Sequence, residues 1–352
     1  MDFAIFTNSG RPNRSVASGI AEDLYEIVTA DRLGFCEAWV SEHATPAELL
    51  ICKAAALTSR IRLGTGVRPL PIHHPLQLVI EANMCDHMTD GRYMFGLGLG
   101  LVTLKDKMRQ RGLDYAQARA MMRESMEFIL QAWSSPEPFD FHGQFWHGEG
   151  IDPQPRPLQQ PHPPIAIACS ASPDTVQLAG ERGFIPLFSP TDHPTRLRAA
   201  ADAYCAAARA AGQPVGREAL RLGRFVYVSD SYAQAKRELE PTLVVAIEQE
   251  RRFAPHRFDR YLPPSGDSAD LTIDYLAEAG RYVIGDPDSV YERLAEFYEQ
   301  TGGFGVLMLH MGRDYGTREG RERSLELFCE HVAPRLRQLA AARAATSIAA
   351  GV

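Results

Sequence analysis

A carboxylate and an imidazole follow directly after a short apolar run. The run ends at Val40, and Ser41, Glu42 and His43 come next. An imidazole titrates near neutral pH, so His43 at such a position could donate or relay a proton. The alternative is that Glu42 and His43 satisfy only each other and a helix cap, and the residues alone leave both interpretations open.

Glycines cluster at the ends of two further apolar runs. They are Gly64, Gly66, Gly96, Gly98 and Gly100. The second group lacks the third glycine of a dinucleotide-binding fingerprint, and no small-residue helix start follows it. Alternating glycines at the end of a strand would let a flat or elongated ligand lie against the backbone. Close packing within the protein is the other explanation.

One helix start is sharply specified. Ser172 is predicted as its N-cap and Pro173 as its first helical residue. The free N–H groups of such a start could hold a phosphate, although every capped helix has them.

The histidine and cysteine patterns do not predict a metal site. His73 and His74 are adjacent and so do not point at one ion, and no HExxH motif accompanies them. The six cysteines are scattered without a CxxC pair, which also disfavours a disulfide framework.

The elements that must position these residues alternate between strand and helix. Eight apolar runs are predicted as strands: Phe3–Phe6, Glu37–Val40, Arg62–Val67, Tyr93–Leu97, Ile165–Ala168, Phe184–Phe188, Leu222–Val228 and Val306–Leu309. The predicted helices are Ala21–Leu33, Pro46–Thr58, Pro75–His87, Ala116–Trp133, Asp174–Arg182, Pro194–Ala211, Tyr232–Glu248 and Arg318–Leu339.

This alternation predicts an α/β fold, a (β/α)8 TIM barrel with two insertions. The first four runs start 25 to 34 residues apart, which suits one strand–helix unit each. Several runs are apolar on both faces, as parallel strands covered on both sides should be. A doubly wound open sheet is the alternative, because alternation alone does not show closure. In a barrel, the residues that follow the strands form the functional face.

We expect a single domain over residues 1–340, with a C-terminal tail at 341–352. The first insertion, about 134–164, is expected to contain a hairpin with a glycine in its turn. The second insertion, about 249–283, is expected to form a surface lid or helical excursion near the active face.

Composition excludes several classes of function. The 352 residues carry a net charge of −7 without a basic run, which argues against nucleic-acid or anionic-lipid partners. Apolar stretches fall short of the roughly 18 residues that a membrane span needs. The first residues lack a secretion signal, so a cytoplasmic protein is expected.

Segments along nearly the whole chain together resemble one known family. They are 34–43, 62–71, His74-Pro75, 86–100, 170–172, 178–183, 284–287 and 301–303. In order and spacing they resemble the bacterial luciferase-like flavin-dependent monooxygenases. The segments His73-His74-Pro75-Leu76 and 162–166 are most similar to the limonene monooxygenase-like branch.

The resemblance implies a cofactor, partners and site residues. A member of this family takes reduced FMN (FMNH2) from a flavin reductase, adds O2 at the flavin C4a carbon to form a hydroperoxide, and oxygenates a small hydrophobic or aromatic substrate. A homodimer formed through the early helices is also implied. His43 matches the active-site histidine. The implied cofactor-contacting residues are Glu42, Gly66, Val67, Gly98, Gly100, Ser170 and Ala171, and the peptide bond before Val67 is often cis in the family.

Three positions depart from the luciferase pattern. Ala44 replaces a second histidine, Cys169 replaces an acidic residue, and Leu99 stands where luciferases place a phosphate-binding arginine. The resemblance leaves Arg119 and Arg92 as candidate replacements for that cation.

Two other functions remain open at this point. Relatives in the same superfamily use the deazaflavin F420 for hydride transfer, and a luciferase-like barrel can serve as a non-catalytic flavin-binding partner subunit. Hydroxylation, epoxidation and Baeyer–Villiger oxidation are all compatible with the residues.

Overall fold

The structure is a computed structural model that describes residues 1–7, 11, 14–42, 46–100, 103–169, 172–253, 258, 262–310 and 316–349. The strands are β1 Asp2–Thr7, β2 Glu37–Val40, β3 Arg62–Thr65, β4 Arg68–Pro69, β5 Tyr93–Gly98, β6 Phe139–His142, β7 His147–Ile151, β8 Ile165–Cys169, β9 Ile185–Phe188, β10 Arg221–Val228, β11 Tyr282–Gly285 and β12 Val306–His310. The α-helices are α1 Val16–Leu33, α2 Ala47–Ala55, α3 Pro75–Met88, α4 Thr103–Gln110, α5 Ala118–Ser134, α6 Pro173–Arg182, α7 Pro194–Ala210, α8 Tyr232–Phe253, α9 Ile273–Glu278, α10 Pro287–Thr301, α11 Arg318–Leu327 and α12 Ala333–Ala349.

Eight parallel strands close into a barrel. The order around it is β1, β2, β3, β5, β8, β9, β10 and β12, and β12 pairs with β1 to complete the circle. The predicted (β/α)8 barrel is therefore confirmed, and the open-sheet alternative is wrong. Each of the eight predicted strands coincides with one barrel strand.

The barrel interior is filled by apolar side chains that alternate along the strands. Their inner cluster contains Ala4, Trp39, Met94, Ala166, Leu187, Val306 and Met308. The opposite faces of the same strands pack on the helices in the largest core cluster. Two covered faces explain why these strands read as continuous apolar runs in the sequence.

The start of α6 and the end of α1 lie at residues that are typical of helix ends. Ser172 is the N-cap of α6 and Pro173 its first residue, as predicted. Gly34 ends α1 with a φ of 82°, a left-handed conformation that glycine adopts at little cost. Among the described residues, no helix combines the length and apolar character needed to span a bilayer.

An antiparallel hairpin lies between α5 and β8. It consists of β6 and β7, and Phe139 and Phe141 pack edge-on against Phe128 of α5 at ring-centroid distances of 5.8 and 4.9 Å. These hairpin aromatics thus cover a barrel helix.

The chain between β10 and β12 holds more regular structure than predicted. Helix α8 continues to Phe253, beyond the predicted end at Glu248. Strand β11 pairs in parallel with Phe225–Val228 of β10, and α10 precedes β12. Neither β11 nor α10 was predicted. The domain boundary expected at residue 340 falls inside α12.

Candidate functional site at the carboxyl ends of the barrel strands

Three half-exposed apolar residues form a floor at the carboxyl end of the barrel interior. Phe6 comes from β1, Val67 from the link between β3 and β4, and Ala168 from β8. Phe6 and Val67 rest on the buried interior cluster around Trp39. We call Phe6, Val67 and Ala168 the apolar floor.

The floor depends on a break in the third barrel strand. The peptide bond between Gly66 and Val67 is cis, as the resemblance implies. Strand β3 ends at Thr65, and pairing with β5 resumes at Arg68 in β4. Across the break, the Thr65 hydroxyl donates to the Gly96 carbonyl and accepts from the Gly96 N–H, both at 2.8 Å.

Two glycines bring the floor residues into contact. A Cβ at Gly66 would lie 2.7 Å from Cε2 of Phe6, and a Cβ at Gly98 would lie 2.8 Å from Cγ2 of Val67. Both distances are too short for real side-chain contacts, so any larger residue would push the floor apart. Close packing within the protein therefore accounts for Gly66 and Gly98. The side chains that these glycines contact, Phe6 and Val67, are themselves only partly buried.

A histidine borders the floor on the β12 side. His310 is buried and stacks on Phe6, with ring centroids 4.5 Å apart and an interplanar angle of 16°. Phe225 of β10 meets the same imidazole edge-on at 5.6 Å. The last residue of β12 is thus held by aromatic packing.

A buried arginine next to the floor gathers three carboxylates. The guanidinium of Arg68 lies 3.2 Å from Glu42, 2.5 Å from Glu48 and 2.8 Å from Glu81. The other carboxylate oxygen of Glu42, Oε1, lies 3.0 Å from Nε2 of His73. We call these five residues the Arg68 cluster. It fixes the Glu42 side chain at the end of β2.

Burial and charge act in opposite directions within the Arg68 cluster. Burial alone would raise the pKa of Glu42, but the His73 hydrogen bond and the Arg68 charge hold it below its usual value. For Glu48, burial outweighs Arg68 and raises the pKa to about 7. Burial lowers the pKa of nearby Lys107 on α4, although Glu42 attracts its charge. Glu42 is therefore an anion at neutral pH.

The adjacent histidines serve different partners. His73 pairs with Glu42, while Nδ1 of His74 accepts a hydrogen bond from the Leu76 N–H at the start of α3. His74 also packs against Trp146 of the hairpin at 4.9 Å. Among the described residues, no group of three His, Cys, Asp or Glu side chains could hold a metal ion.

The structure brings several of the predicted site residues together. Glu42, Gly66, Val67, Gly98 and Gly100 all lie at the carboxyl ends of neighbouring strands. Three other predicted residues, His43, Ser170 and Ala171, lie outside the described residues, and so does Ala44.

The prediction that Arg92 could replace the arginine missing at Leu99 is wrong. It precedes β5, and its guanidinium donates to the carbonyls of Ala55 and Ile61 at 3.0 Å. Those contacts lie at the amino ends of the strands, on the opposite side of the barrel from Leu99. Arg119 is exposed in the first turn of α5 and stays a candidate.

Sequence reasoning missed Phe6, Arg68 and His73 as members of the site. An arginine between Val67 and Pro69 inside an apolar run was the available signal for Arg68, because a charge in a buried strand needs partners. Those partners come from three separate elements, which one sequence does not connect.

Comparison with known proteins matches most of the chain to one family. Residues 1–303 match the family model described as luciferase-like monooxygenase. The chain is 31% identical over 322 residues to 4-hydroxyprotoasukamycin monooxygenase of Streptomyces nodosus subsp. asukaensis, covering 87% of this chain and 84% of that protein. It is 28% identical over 332 residues to limonene 1,2-monooxygenase of Rhodococcus erythropolis, covering 90% and 81%.

A solved structure is similar in both fold and sequence. It is a type II Baeyer–Villiger monooxygenase, the oxygenating constituent of 3,6-diketocamphane monooxygenase from Pseudomonas putida, in complex with FMN. The TM-score is 0.81 at 26% identity, covering 95% of this chain and 98% of that one.

Proposed function

The chain belongs to the luciferase-like monooxygenase family, and from that premise we propose that it is the oxygenase component of a two-component system. It uses reduced FMN and O2 to oxygenate a small hydrophobic or aromatic substrate. The observation that supports this function best is the apolar floor at the end of the barrel, flanked by the Arg68 cluster.

The residues present fit a flavin. A flat tricyclic ring needs an apolar surface without a protruding side chain, and Phe6, Val67 and Ala168 offer one that is half exposed. Gly98 adds no side chain beside Val67. When bound, reduced FMN supplies two electrons to O2 at its C4a carbon, so that one oxygen atom enters the substrate and the other leaves as water.

Each site residue has a proposed role. Val67 and the floor support the ring and exclude water from the reacting face. His43 manages protons there, and Glu42, held as an anion by Arg68 and His73, orders the polar edge of the site. As the resemblance implies, Gly98, Gly100, Ser170 and Ala171 would hold the ribityl chain and phosphate.

The proposal includes partners. A separate reductase in the cytoplasm supplies reduced FMN, since the Pseudomonas relative is the oxygenating constituent of its monooxygenase. A homodimer forms through α2 and α3, where Leu49, Met84 and Met88 are exposed apolar residues. Isolated exposed apolar residues are ordinary, but a cluster on neighbouring helices is typical of an interface.

The test combines cofactor binding with isotope transfer. We expect FMN to bind to the purified chain in a fluorescence titration, and F420 to bind far more weakly. With reduced FMN, 18O2 and a panel that includes limonene and 3,6-diketocamphane, we expect one 18O atom in the product by mass spectrometry. Preferential binding of F420 would support the hydride-transfer alternative. FMN binding without 18O transfer to any substrate would favour a partner subunit.

A further inference from the structure

Two cysteines on neighbouring helices lie in sulfur contact. Cys52 on α2 and Cys85 on α3 have their Sγ atoms 3.6 Å apart. In a single copy of the chain, Cys85 is 4% exposed, whereas Cys52 is half-buried. The segment between them contains the cis peptide, Arg68 and His73. A bond between the two sulfurs would thus close a loop that contains Arg68, His73 and Glu81 of the Arg68 cluster.

We propose that Cys52 and Cys85 form a peroxide-responsive dithiol that oxidises to an α2–α3 disulfide. The Cys52 thiolate attacks hydrogen peroxide, which breaks the O–O bond, gives a sulfenic acid on Cys52 and releases hydroxide. The Cys85 sulfur then attacks Cys52 Sγ, forms the S–S bond and releases water, using one peroxide for two thiols. The sulfurs must approach from 3.6 Å to about 2.05 Å, a movement that side-chain rotation can supply.

The division of roles between the two thiols follows from their surroundings. The hydrogen bond between the two thiols lowers the pKa of Cys52, although burial opposes the shift. Burial raises the pKa of Cys36 to about 12 and that of Cys329 to about 11. Since the thiolate is the reactive form, Cys52 reacts first and the buried Cys85 resolves the sulfenic acid.

The oxidant has a source in the proposed function. A flavin oxygenase that fails to transfer its oxygen atom releases hydrogen peroxide, so the dithiol would respond to unproductive turnover. The source of the peroxide rests on the proposed function, whereas the formation of the disulfide does not. The test adds peroxide to the chain without flavin, so its result stands apart from that of the cofactor experiment.

The experiment treats the reduced full-length chain with hydrogen peroxide and then alkylates it. We expect two of the six free thiols to be lost and a Cys52–Cys85 peptide to appear in non-reduced digests. The melting temperature should rise by roughly 5 °C, because the cross-link restricts the unfolded chain. Reductant should reverse both changes.

Single variants separate the two roles. In Cys85→Ser, Cys52 should accumulate as a sulfenic acid that dimedone traps, and in Cys52→Ser, Cys85 should stay reduced. Cys205→Ser is the matched control and should form the disulfide as the parent chain does. Equal alkylation of both cysteines before and after peroxide would overturn the proposal, and so would a cross-link between two chains in place of the internal one.

Discussion

At the scale of single residues, Arg68 decides the charge state of the site. It is almost wholly buried and holds three carboxylates, so the cluster keeps a net negative charge beside the apolar floor. Burying an ion costs several kcal/mol unless good partners offset the loss of water. The lowered pKa of Glu42 therefore depends on His73 and on Arg68, which belong to other elements.

Replacing Arg68 by methionine should destabilise the chain strongly. Glu48 and Glu42 would be left buried without their cation, a loss of about 3–5 kcal/mol for a broken buried pair. Urea unfolding at pH 7 measures it. Lowering the pH should recover part of the loss, because protonated Glu48 no longer needs a partner, and Arg68→Met/Glu48→Gln should recover part of it at pH 7.

The matched control breaks an exposed pair. Arg182 and Glu127 lie 2.9 Å apart with both side chains about half exposed. Arg182→Met should cost less than about 1 kcal/mol. Equal losses in the Arg68 and Arg182 variants would contradict the role assigned to burial.

Replacing Gly98 by alanine should weaken FMN binding. The new Cβ would meet Val67 Cγ2 at 2.8 Å and push that side chain out of the floor. We expect a loss of about tenfold in affinity, the effect of roughly 1.4 kcal/mol of strain, measured by fluorescence titration. Val67→Ala in the same chain should restore most of the affinity. Unchanged binding in Gly98→Ala would show that Val67 does not lie under the ring.

At the residue level, the sequence predicts position where a local pattern carries the information. Glu42 and Val67 lie just after strands and Gly98 is the last residue of β5, and strand ends are visible as the ends of apolar runs. Arg68 was not predicted as a site residue, because its partners Glu42, Glu48 and Glu81 lie on three elements. One sequence contains no record of which distant side chains meet.

At the scale of elements, α1 is joined to the last barrel helix by buried ion pairs. Arg321 of α11 lies 2.6 Å from Glu22 and 2.8 Å from Glu26 of α1. Arg11 lies 3.0 Å from Asp23 and 2.8 Å from Glu26. The Arg321 contacts connect the first and last strand–helix units, where a barrel must close, and Arg11 adds ion pairs within the first unit.

The Asp23 carboxyl, which pairs with Arg11, should make the stability of the chain depend on pH. Burial raises its pKa from 3.8 to about 6, although Arg11 opposes the shift. Between these values the folded chain binds a proton that the unfolded chain does not, so the contribution of Asp23 to stability falls as pH rises through this window. At about 1.36 kcal/mol per unit, the fall is roughly 3 kcal/mol.

Asp23→Asn removes this titration. We expect the stability of the variant relative to the parent to rise between pH 4 and pH 7, measured by urea unfolding at several pH values. Asp230→Asn is the control, because Asp230 forms an exposed pair with Arg323 at 2.8 Å. A parallel pH profile for Asp23→Asn and the parent would contradict the assignment.

The elements differ in how readily the sequence predicts them. The eight barrel strands are buried on both faces, and their composition shows it directly. Helix α10 was missed although its ends are marked, by Asp286 as N-cap, Pro287 in the first turn and Gly302 after the last turn. Strand β11 is four residues long and follows a turn-rich segment, so its pairing with β10 is a tertiary event that no local pattern indicates.

At the scale of the whole molecule, exposed apolar residues on α2 and α3 favour assembly. The helices lie side by side, as the Cys52–Cys85 contact shows. Leu49 is 71% exposed, and Met84 is 42% exposed. A second copy of the chain would cover them.

Introducing charge on this face should dissociate the proposed homodimer. Leu49→Glu and Met84→Glu place a carboxylate in an apolar interface and should each weaken dimerisation by roughly 30-fold, the effect of a residue worth about 2 kcal/mol. Analytical ultracentrifugation measures the change. Leu158→Glu, at an exposed apolar residue preceding β8, should leave assembly unchanged. A monomeric parent chain would contradict the proposal.

Strand β10 has two kinds of neighbour along its length. Its first four residues pair with β12, and two of these also pair with β9, whereas Phe225–Val228 pair with β11 instead. Strand β10 is therefore longer than the closure of the eight-stranded barrel requires. Its second half holds β11, which is not one of the eight barrel strands. Residues 229–281 connect β10 to β11 and take no part in the strand pairs that close the circle, so a change in their length would leave those hydrogen bonds intact.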